Sequence, residues 1–338
     1  MQIYENVSLK LHSTMRLGGT ARYCCTVTSE DELLEAIEFA SAKQSALRAI
    51  GSGSNIIWRD EGFSGLLIII AIMGYELAPN NTVRYGAGVL WDDAVKIAVD
   101  NDLSGIESLS LIPGTVGATP IQNVGAYGSE VKDTIVSVRA FDTHQKKFVE
   151  LTNEECRFAY RMSRFKSDDS GRFIITAVTF QLSEVAPKQP FYESLQSYFD
   201  TNAITTYTPQ QVRDAVIAIR SSKLPDPKKI ANNGSFFANP IIEEPHLTSL
   251  LADYPTIKYW PLGGGRVKVA AGWLVEHAGF KDYHDPETGM ATWHNQSIVL
   301  INEHATSASQ LLIFKQKIVS AVHDKFTITL EQEPELLP

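Results

Sequence analysis

The stretch that decides the fold is Ile112–Glu130, IPGTVGATPIQNVGAYGSE, together with Gly51–Asn55, GSGSN. Both segments are rich in glycine and small polar residues, and each follows an apolar run that predicts a strand. Glycine has no Cβ, so the backbone N–H groups approach a ligand closely, and successive N–H groups form a concave phosphate site. One such segment alone is more often a turn. The two together predict a cradle that closes on the diphosphate of a dinucleotide.

Neither segment has the pattern of the common nucleotide-binding loops. A G-x-G-x-x-G pattern begins at Gly51 and again at Gly86, but Ile56 and Trp91 stand where the third glycine belongs. The Walker A pattern is absent, because no glycine is followed by lysine and then serine or threonine. We therefore predict a dinucleotide site of another architecture.

Six motifs occur in one order along nearly the whole chain, and their combination is far more specific than any one of them. The set resembles the MurB-type UDP-N-acetylenolpyruvoylglucosamine reductases, type I, which are flavoenzymes of peptidoglycan precursor synthesis. The resemblance implies an α+β fold with a two-subdomain PCMH-like FAD-binding unit and a third α/β substrate-binding domain. The motifs are GSGSN, IPGTVGATPIQNVGAYG, FAYRMSRFK (Phe158–Lys166), KLPDP (Lys223–Pro227), NNGSFFANP (Asn232–Pro240) and LEQE (Leu330–Glu333).

The composition is that of an ordinary globular protein, with 44% hydrophobic and 20% charged residues. The net charge of −9 argues against a general nucleic-acid binder. Residues 1–13 contain no apolar signal core, and the longest apolar run, Leu66–Met73, is too short to span a bilayer. Three cysteines, two of them adjacent, do not form a disulfide framework. We expect a cytoplasmic monomer that binds neither nucleic acid nor membrane.

Local signals place four helices and four strands. Helix start signals stand at Ser29, Thr208 and Ser307, and apolar residues follow each at helical spacing. Leu90, Ala94, Ile97 and Ala98 mark one more amphipathic helix. Ser29 with Glu32 and Ser307 with Gln310 have the spacing of capping boxes. The predicted strands are Gly65–Met73, Ile135–Asp142, Phe173–Leu182 and Ser297–Ile301.

The pattern divides the chain into three parts, at about residues 1–65, 66–205 and 206–328. The resemblance implies that the first two are the FAD-binding subdomains and the third is the substrate-binding domain. Residues 329–338 are expected to return to the second FAD-binding subdomain.

The resemblance also implies the ligands. We expect FAD to be bound non-covalently and NADPH to serve as co-substrate. The expected substrate is the enolpyruvyl ether of UDP-N-acetylglucosamine, which is reduced to UDP-N-acetylmuramate. The residues expected to bind FAD are Gly51, Ser52, Gly53, Ser54, Asn55, Pro113, Gly114, Gly117, Ala118 and Gly125.

Three residues match the catalytic positions of the family. Arg161, in FAYR, is expected to bind the enolpyruvyl carboxylate through the two-pronged contact that a guanidinium offers. Ser235, in NNGSFF, is expected to donate a proton to the substrate carbon. Glu333, in LEQE, is the expected catalytic carboxylate when the tail is aligned without gaps. Glu335 is the alternative if Glu331 and Gln332 are an insertion.

Four further residues match positions that bind the UDP-sugar in the family: Tyr192, Lys223, Asn239 and Gln296. Lys223 and Tyr192 are expected to face the diphosphate, since a cation and a hydroxyl donor suit two negative groups. A solvent-exposed lysine and a loop tyrosine are the alternatives for these two residues.

No metal site is expected. His284, Asp285, Glu287 and His294 are close in sequence, but their spacing matches no zinc pattern, and a polar loop is the simpler interpretation. Two other functions remain open from the sequence: a flavin oxidase of the same fold, and a nucleotide-sugar binding module without redox activity.

Overall fold

The computed structural model describes all residues from 1 to 338, and these form twenty β-strands and seven α-helices. The strands are β1 (Ile3–Ser8), β2 (Thr20–Val27), β3 (Leu47–Ile50), β4 (Ile56–Trp58), β5 (Phe63–Ile70), β6 (Tyr75–Leu77), β7 (Thr82–Gly86), β8 (Gly125–Ala126), β9 (Ser129–Glu130), β10 (Ile135–Asp142), β11 (Lys147–Thr152), β12 (Phe173–Gln181), β13 (Ala231–Ser235), β14 (Ile241–Glu243), β15 (Tyr259–Gly263), β16 (Arg266–Val269), β17 (His284–Asp285), β18 (Met290–Trp293), β19 (Gln296–Asn302) and β20 (Glu335–Leu337). The helices are α1 (Glu30–Ala42), α2 (Trp91–Asp100), α3 (Glu193–Thr201), α4 (Pro209–Lys223), α5 (Glu244–Asp253), α6 (Ala271–Val275) and α7 (Ala308–Phe326).

The chain divides into two compact units. Unit 1 consists of Met1–Val7, Ala21–Gly53 and Phe63–Ser222, and unit 2 consists of Ser8–Thr20, Ser54–Gly62 and Lys223–Pro338. Two short N-terminal segments therefore belong to the unit that holds the C-terminal third of the chain. The predicted assignment of three parts to cofactor and substrate stays a prediction.

Unit 1 contains two main sheets. The first has the strand order β1-β2-β5-β3, in which β5 pairs in parallel with both β2 and β3. The second has the order β11-β10-β12-β7-β6 and is antiparallel at each of its pairings. The central strand β5 is almost entirely apolar and buried, as expected for a parallel strand that is covered on both faces. The apolar faces of α1 and α2 pack into the same core.

Unit 2 is built on a mixed set of smaller sheets. The order β13-β19-β18-β17 forms the largest, and β14-β16-β15 forms a second. The last strand of the chain, β20, pairs in parallel with β4, so that Glu335 lies opposite Ile56. Helix α7 packs its apolar face, which includes Phe314 and Ile318, into the core of this unit.

The predicted helices are α1, α2, α4 and α7, and four of the predicted strands are β5, β10, β12 and β19. The strand predicted before GSGSN is β3, but the one predicted before Ile112–Glu130 is wrong, because Glu107–Leu109 form a short 3-10 helix there. The capping box of α7 is complete, because Ser307 and Gln310 each bond to the other's backbone. At α1 only half of the predicted box forms. The Ser29 hydroxyl accepts from the Glu32 N–H at 3.1 Å, but the Glu32 carboxylate accepts from the N–H of Thr28 at 2.6 Å. The mixed helix and strand content confirms the α+β prediction.

Among the helices, none combines the length and the apolar character that crossing a bilayer requires.

The buried ion pair Asp142–Arg172 supplies a stability prediction for unit 1. Asp142 is 1% exposed and accepts two bonds from the Arg172 guanidinium, at 2.7 and 3.0 Å. These bonds hold the pKa of Asp142 at about 2 instead of 3.8. The stabilisation is fully present above pH 3.8 and is lost as the pH falls through 2. We expect Asp142→Asn to lower the free energy of unfolding at pH 7 by about 2 kcal/mol.

Urea unfolding at pH 7 and at pH 3 measures this effect, and the difference between variant and wild type should shrink at the lower pH. Asp168→Asn is the control, since its ion pair with Arg157 is largely exposed and is worth about 0 to 1 kcal/mol. If Asp142→Asn is as stable as the wild type at pH 7, the pair contributes nothing to the free energy of unfolding.

Candidate functional site

The two glycine-rich segments come into contact within unit 1. A Cβ atom added to Gly51 would collide with the hydroxyl group of Thr115, which is 5% exposed. Only glycine at position 51 therefore allows the GSGSN segment to lie against the second segment. The predicted pairing of the two loops is a feature of the structure.

The two segments differ in the N–H groups that they offer to a ligand. The backbone N–H groups of Ser52 and Gly53 make no hydrogen bond to the protein, and Gly53 has a left-handed backbone with φ of 71°. In the second segment, by contrast, the N–H of Val116 donates to the carbonyl of Val89 at 2.8 Å. The N–H groups of Gly117 and Ala118 likewise donate to the carbonyls of Ala87 and Thr115, at 2.9 and 3.0 Å. Free N–H groups therefore remain in both segments, at Ser52 and Gly53 in the first and at Gly114 and Thr115 in the second.

Glycine in the second segment serves the packing of the loop. A Cβ on Gly117 would lie 2.6 Å from the Cβ of Ala87, so this glycine lets the loop approach its own unit. Gly114 has φ of 136°, and its carbonyl accepts from the N–H of Trp91 at 3.0 Å. Pro113 precedes it on the exposed side of the turn. Free N–H donors and small residues on both loops fit a diphosphate.

Ser54 and Asn55 complete the GSGSN segment and belong to unit 2. The Ser54 carbonyl accepts from the side-chain amide of Asn233 at 3.2 Å, and the Asn55 carbonyl accepts from the Glu335 N–H at 3.0 Å. Asn233 is 5% exposed, and its amide oxygen accepts no hydrogen bond from the protein. A buried acceptor without a protein donor is typical of a site that a ligand or water completes.

Arg161 lies at the tip of a tight turn that Ala159 and Met162 close with two backbone hydrogen bonds. Its own φ is 54°, which is rare for a residue with a side chain and typical of strained functional positions. The guanidinium donates to the carbonyl of Gly125 at 2.7 Å. A Cβ on Gly125 would lie 2.8 Å from the Ser129 carbonyl, so glycine is required there as well.

Asn123 holds this turn in place, a role that the sequence alone does not reveal. It is fully buried, and its side-chain amide donates to the Ala159 carbonyl at 3.0 Å and to the Glu130 carboxylate at 3.1 Å. Its amide oxygen accepts from the Lys132 N–H at 3.1 Å. The second glycine segment and the Arg161 turn are therefore one connected structure.

Ser235 ends strand β13 in unit 2. Gly234 before it has φ of 70°, and Phe236 and Phe237 after it are buried. The Ser235 hydroxyl makes no hydrogen bond to the protein, so it can donate to a ligand.

The C-terminal segment brings Glu333 beside Ser235. The Glu333 N–H donates to the carbonyl of Phe236, the residue after Ser235, at 2.9 Å. Phe237 also forms a β-bridge with Gln332. Glu335 instead lies in β20, opposite Ile56. Of the two candidate glutamates, Glu333 is thus the one whose backbone bonds to the residue after Ser235.

Three of the predicted substrate residues are connected in unit 2. The Asn239 side-chain oxygen accepts from the N–H of Ala271 at 2.9 Å, at the start of α6. The Gln296 side chain lies near the next residue of that helix, Gly272. Gln296 pairs with Trp293 across a tight hairpin, and the Trp293 indole donates to the Lys223 carbonyl at 3.0 Å.

Tyr192, the fourth, is in unit 1. Its ring packs edge-to-face on Tyr127 with 5.9 Å between the centroids, and the charge of Arg220 acts on Tyr127 in turn. Burial lowers the pKa of Arg220 and raises the pKa values of both tyrosines. Arg220 is a residue that sequence reasoning missed. An available signal was its spacing of seven residues from Arg213, which places both on one face of α4 among apolar residues.

Three of the four polar residues that are close in sequence near His284 form ion pairs. Asp285 and Glu287 accept from Lys317 at 2.8 and 2.7 Å, and His284 bonds to Glu303 at 2.9 Å. Across the described residues 1–338, no group of three or more His, Cys, Asp or Glu side chains is placed to hold a metal ion.

Two family models match this chain. The model described as FAD binding domain matches residues 21–151. The model described as UDP-N-acetylenolpyruvoylglucosamine reductase, C-terminal domain, matches residues 226–337.

Proteins described as UDP-N-acetylenolpyruvoylglucosamine reductase are similar over the full length. The one from Polynucleobacter asymbioticus is 39% identical over 99% of this chain and 97% of its own length. The one from Neisseria gonorrhoeae is 38% identical over 99% of this chain and 98% of its own length.

Solved structures agree on the fold. The crystal structure of UDP-N-acetylenolpyruvylglucosamine reductase (MurB) from Thermus caldophilus matches with a TM-score of 0.70 and 24% identity, over 100% of both chains. 6-Hydroxy-D-nicotine oxidase from Arthrobacter nicotinovorans matches with a TM-score of 0.54 and 12% identity, over 97% of this chain and 86% of its own. These matches confirm the predicted FAD-binding fold with an additional C-terminal domain.

The contact between Gly51 and Thr115 gives a test of the paired glycine loops. We expect Gly51→Ala to fold but to lose FAD, because the new methyl group must displace the Thr115 side chain. The ratio of absorbance at the flavin band to that of the protein measures the loss after purification.

Thr115→Ala in the Gly51→Ala background removes the colliding hydroxyl and should restore part of the FAD content. Full FAD content in Gly51→Ala alone, or no recovery in the double variant, would contradict this account of the two loops.

Proposed function

Because the chain belongs to the UDP-N-acetylenolpyruvoylglucosamine reductase family, we propose that it reduces the enolpyruvyl ether of UDP-N-acetylglucosamine to UDP-N-acetylmuramate with NADPH. The full-length similarity to reductases of that name carries the proposal. The chain is a flavin-dependent oxidoreductase. Its product serves peptidoglycan precursor synthesis.

The cofactor is FAD, which when bound passes a hydride from NADPH to the substrate. We assign its diphosphate to the N–H groups of Ser52 and Gly53, because these donors have no acceptor in the protein. Thr115 and the small residues Gly114, Gly117 and Ala118 form the facing wall. Ser54, Asn55, Pro113 and Gly125 remain proposed contacts to FAD.

Arg161 is the proposed partner of the enolpyruvyl carboxylate. A guanidinium presents two parallel N–H donors and keeps its charge at any physiological pH, so it stabilises the negative charge that develops on this group during reduction. The strained backbone at Arg161 and the bond to Gly125 support a fixed orientation of the side chain. Glu333 is the second residue proposed to stabilise this charge.

Ser235 is the proposed general acid. Addition of hydride to the methylene carbon leaves negative charge that is shared between the carboxylate and the adjacent carbon. That carbon then takes a proton from the Ser235 hydroxyl, which is a weak acid in water but a competent donor to such a strong base in a dry pocket.

The UDP-sugar is assigned to four residues. Lys223 and Tyr192 suit the diphosphate, and Asn239 and Gln296 offer amide groups next to the start of α6. We further propose that the protein works as a cytoplasmic monomer, which is supported by its net charge of −9 and its lack of a disulfide framework.

Anaerobic NADPH oxidation by the yellow, FAD-loaded protein tests the function. The rate should depend on the enolpyruvyl sugar, and the product should have the mass of UDP-N-acetylmuramate. Turnover that requires oxygen and ignores the enolpyruvyl sugar would favour a flavin oxidase instead. A colourless protein that binds UDP-sugars would favour a binding module.

Ser235→Ala separates the two halves of the reaction. Bleaching of the flavin by NADPH needs no proton donation to carbon, so it should proceed at close to the wild-type rate. The return of the flavin absorbance with the enolpyruvyl sugar should slow about 10²–10⁴-fold, because a positioned general acid is missing. Stopped-flow absorbance reports each half separately. Equal slowing of both halves would assign Ser235 to positioning of the flavin or of the turn.

Glu333→Gln and Glu335→Gln form a matched pair in the C-terminal segment. We expect the first to abolish reduction of the enolpyruvyl sugar, because Glu333 is one of the two groups proposed to stabilise the charge that develops on the substrate. The second should retain near wild-type turnover, since Glu335 bonds through its backbone to Asn55. The reverse outcome in steady-state assays would assign the catalytic carboxylate to Glu335.

A further inference from the structure

A buried ion pair binds the backbone that directly precedes the second glycine segment. Arg213 on α4 donates to both carboxylate oxygens of Asp92 on α2, at 2.7 and 2.8 Å, although the two residues are 121 positions apart. Arg213 is 7% exposed. Burial opposes the ionisation of Asp92, but the bonds from Arg213 and from the Leu111 N–H outweigh it and lower the pKa of Asp92.

The same two side chains also bind the backbone that leads into the glycine segment. Asp92 accepts from the Leu111 N–H at 2.6 Å, and Arg213 donates to the Ser110 hydroxyl at 3.0 Å. Leu111 has φ of 59°, a left-handed conformation that costs an apolar residue energy unless its surroundings impose it. The ion pair imposes it here, three residues before Gly114.

Trp91, the residue before Asp92 on α2, binds the same stretch of backbone at two further points. The Trp91 N–H donates to the Gly114 carbonyl at 3.0 Å, and its indole N–H donates to the Leu109 carbonyl at 2.9 Å. The first two residues of α2 therefore hold the backbone on both sides of Ile112–Pro113. Arg213 connects this arrangement to α4.

Unit 1 contains a second buried ion pair that serves as a comparison. Asp142 and Arg172 also form a two-pronged contact, at 2.7 and 3.0 Å. Their further partners are His144, Gln145 and Asp169, none of which lies in a glycine segment. The two pairs thus match in chemistry and differ in what they hold.

We propose that Asp92 and Arg213, together called the brace, are positioning residues for FAD, which fix Ser110–Gly114 so that Thr115 lies against Gly51 and the diphosphate cradle is formed before the cofactor arrives. The inference rests on the proposed cofactor role of the two glycine segments. A loop that is already ordered loses less conformational entropy when it binds a ligand, so the brace acts on FAD affinity. It does not touch the reacting atoms.

The experiment compares the FAD affinity of variants of the brace, and of its Ser110 contact, with the FAD affinity of two control variants. Arg213→Lys keeps the charge but loses the two-pronged contact, and Asp92→Asn loses the charge of the carboxylate. We expect both to weaken FAD binding to apo-protein about 10–100-fold, the range seen when partners of direct ligand contacts are removed. Ser110→Ala removes only one contact of the brace and should show a smaller loss in a variant that folds. Flavin fluorescence quenching on titration of apo-protein measures the dissociation constant.

The controls are Asp142→Asn and Arg172→Lys. They should lower the unfolding midpoint of apo-protein as much as the brace variants do. Their FAD affinity should change by no more than about twofold, as expected for a pair that shares no hydrogen-bond partner with the glycine segments. At saturating FAD the rate of flavin reoxidation by the substrate should recover in Arg213→Lys, because the defect lies in cofactor affinity.

Unchanged FAD affinity in the folded brace variants overturns the proposal, and so does an equal loss in the control pair, which would reduce the brace to general stability. Failure of the wild-type protein to bind FAD overturns the proposed function and this inference together. Normal binding by wild type and brace variants alike overturns this inference only.

Discussion

The contact between Gly51 and Thr115 is the constraint on which the cofactor side of unit 1 depends. No Cβ fits at Gly51, so the two glycine segments lie as close as two backbones with one intervening side chain allow. The free N–H groups of Ser52 and Gly53 follow this contact on one segment, and those of Gly114 and Thr115 lie at it on the other. Which N–H groups stay free follows from packing, and it is not visible in the two motifs themselves.

The C-terminal segment plays the corresponding part in unit 2. It bonds to the Phe236 carbonyl through Glu333 and to the Asn55 carbonyl through Glu335, and it thereby fixes the register of both glutamates. A one-residue shift would turn the wrong side chain toward the Ser235 strand. The chain thus uses backbone pairing, which is insensitive to side-chain identity, to place both glutamates.

Local patterns predicted much of the fold and less of the site. The start of α7 and the strands β10 and β12 were predictable, because capping and apolar alternation act within a few residues of the chain. The assignment of Ser8–Thr20 and Ser54–Gly62 to unit 2 was not, since it depends on pairing across more than a hundred residues. The same holds for Arg213 and Asp92, whose partnership no local pattern announces. In the sequence, Asn123 is one residue of a turn-rich motif. Its burial and its bond to Ala159 in the structure show how it holds the Arg161 turn.

The most direct measurement is a crystal structure of the protein with FAD bound. The account predicts that oxygen atoms of the diphosphate lie within about 3.2 Å of the backbone nitrogens of Ser52 and Gly53, with Thr115 against Gly51 as described above. A diphosphate that instead contacts the nitrogens of Val116–Ala118, or that lies away from both glycine segments, would contradict it.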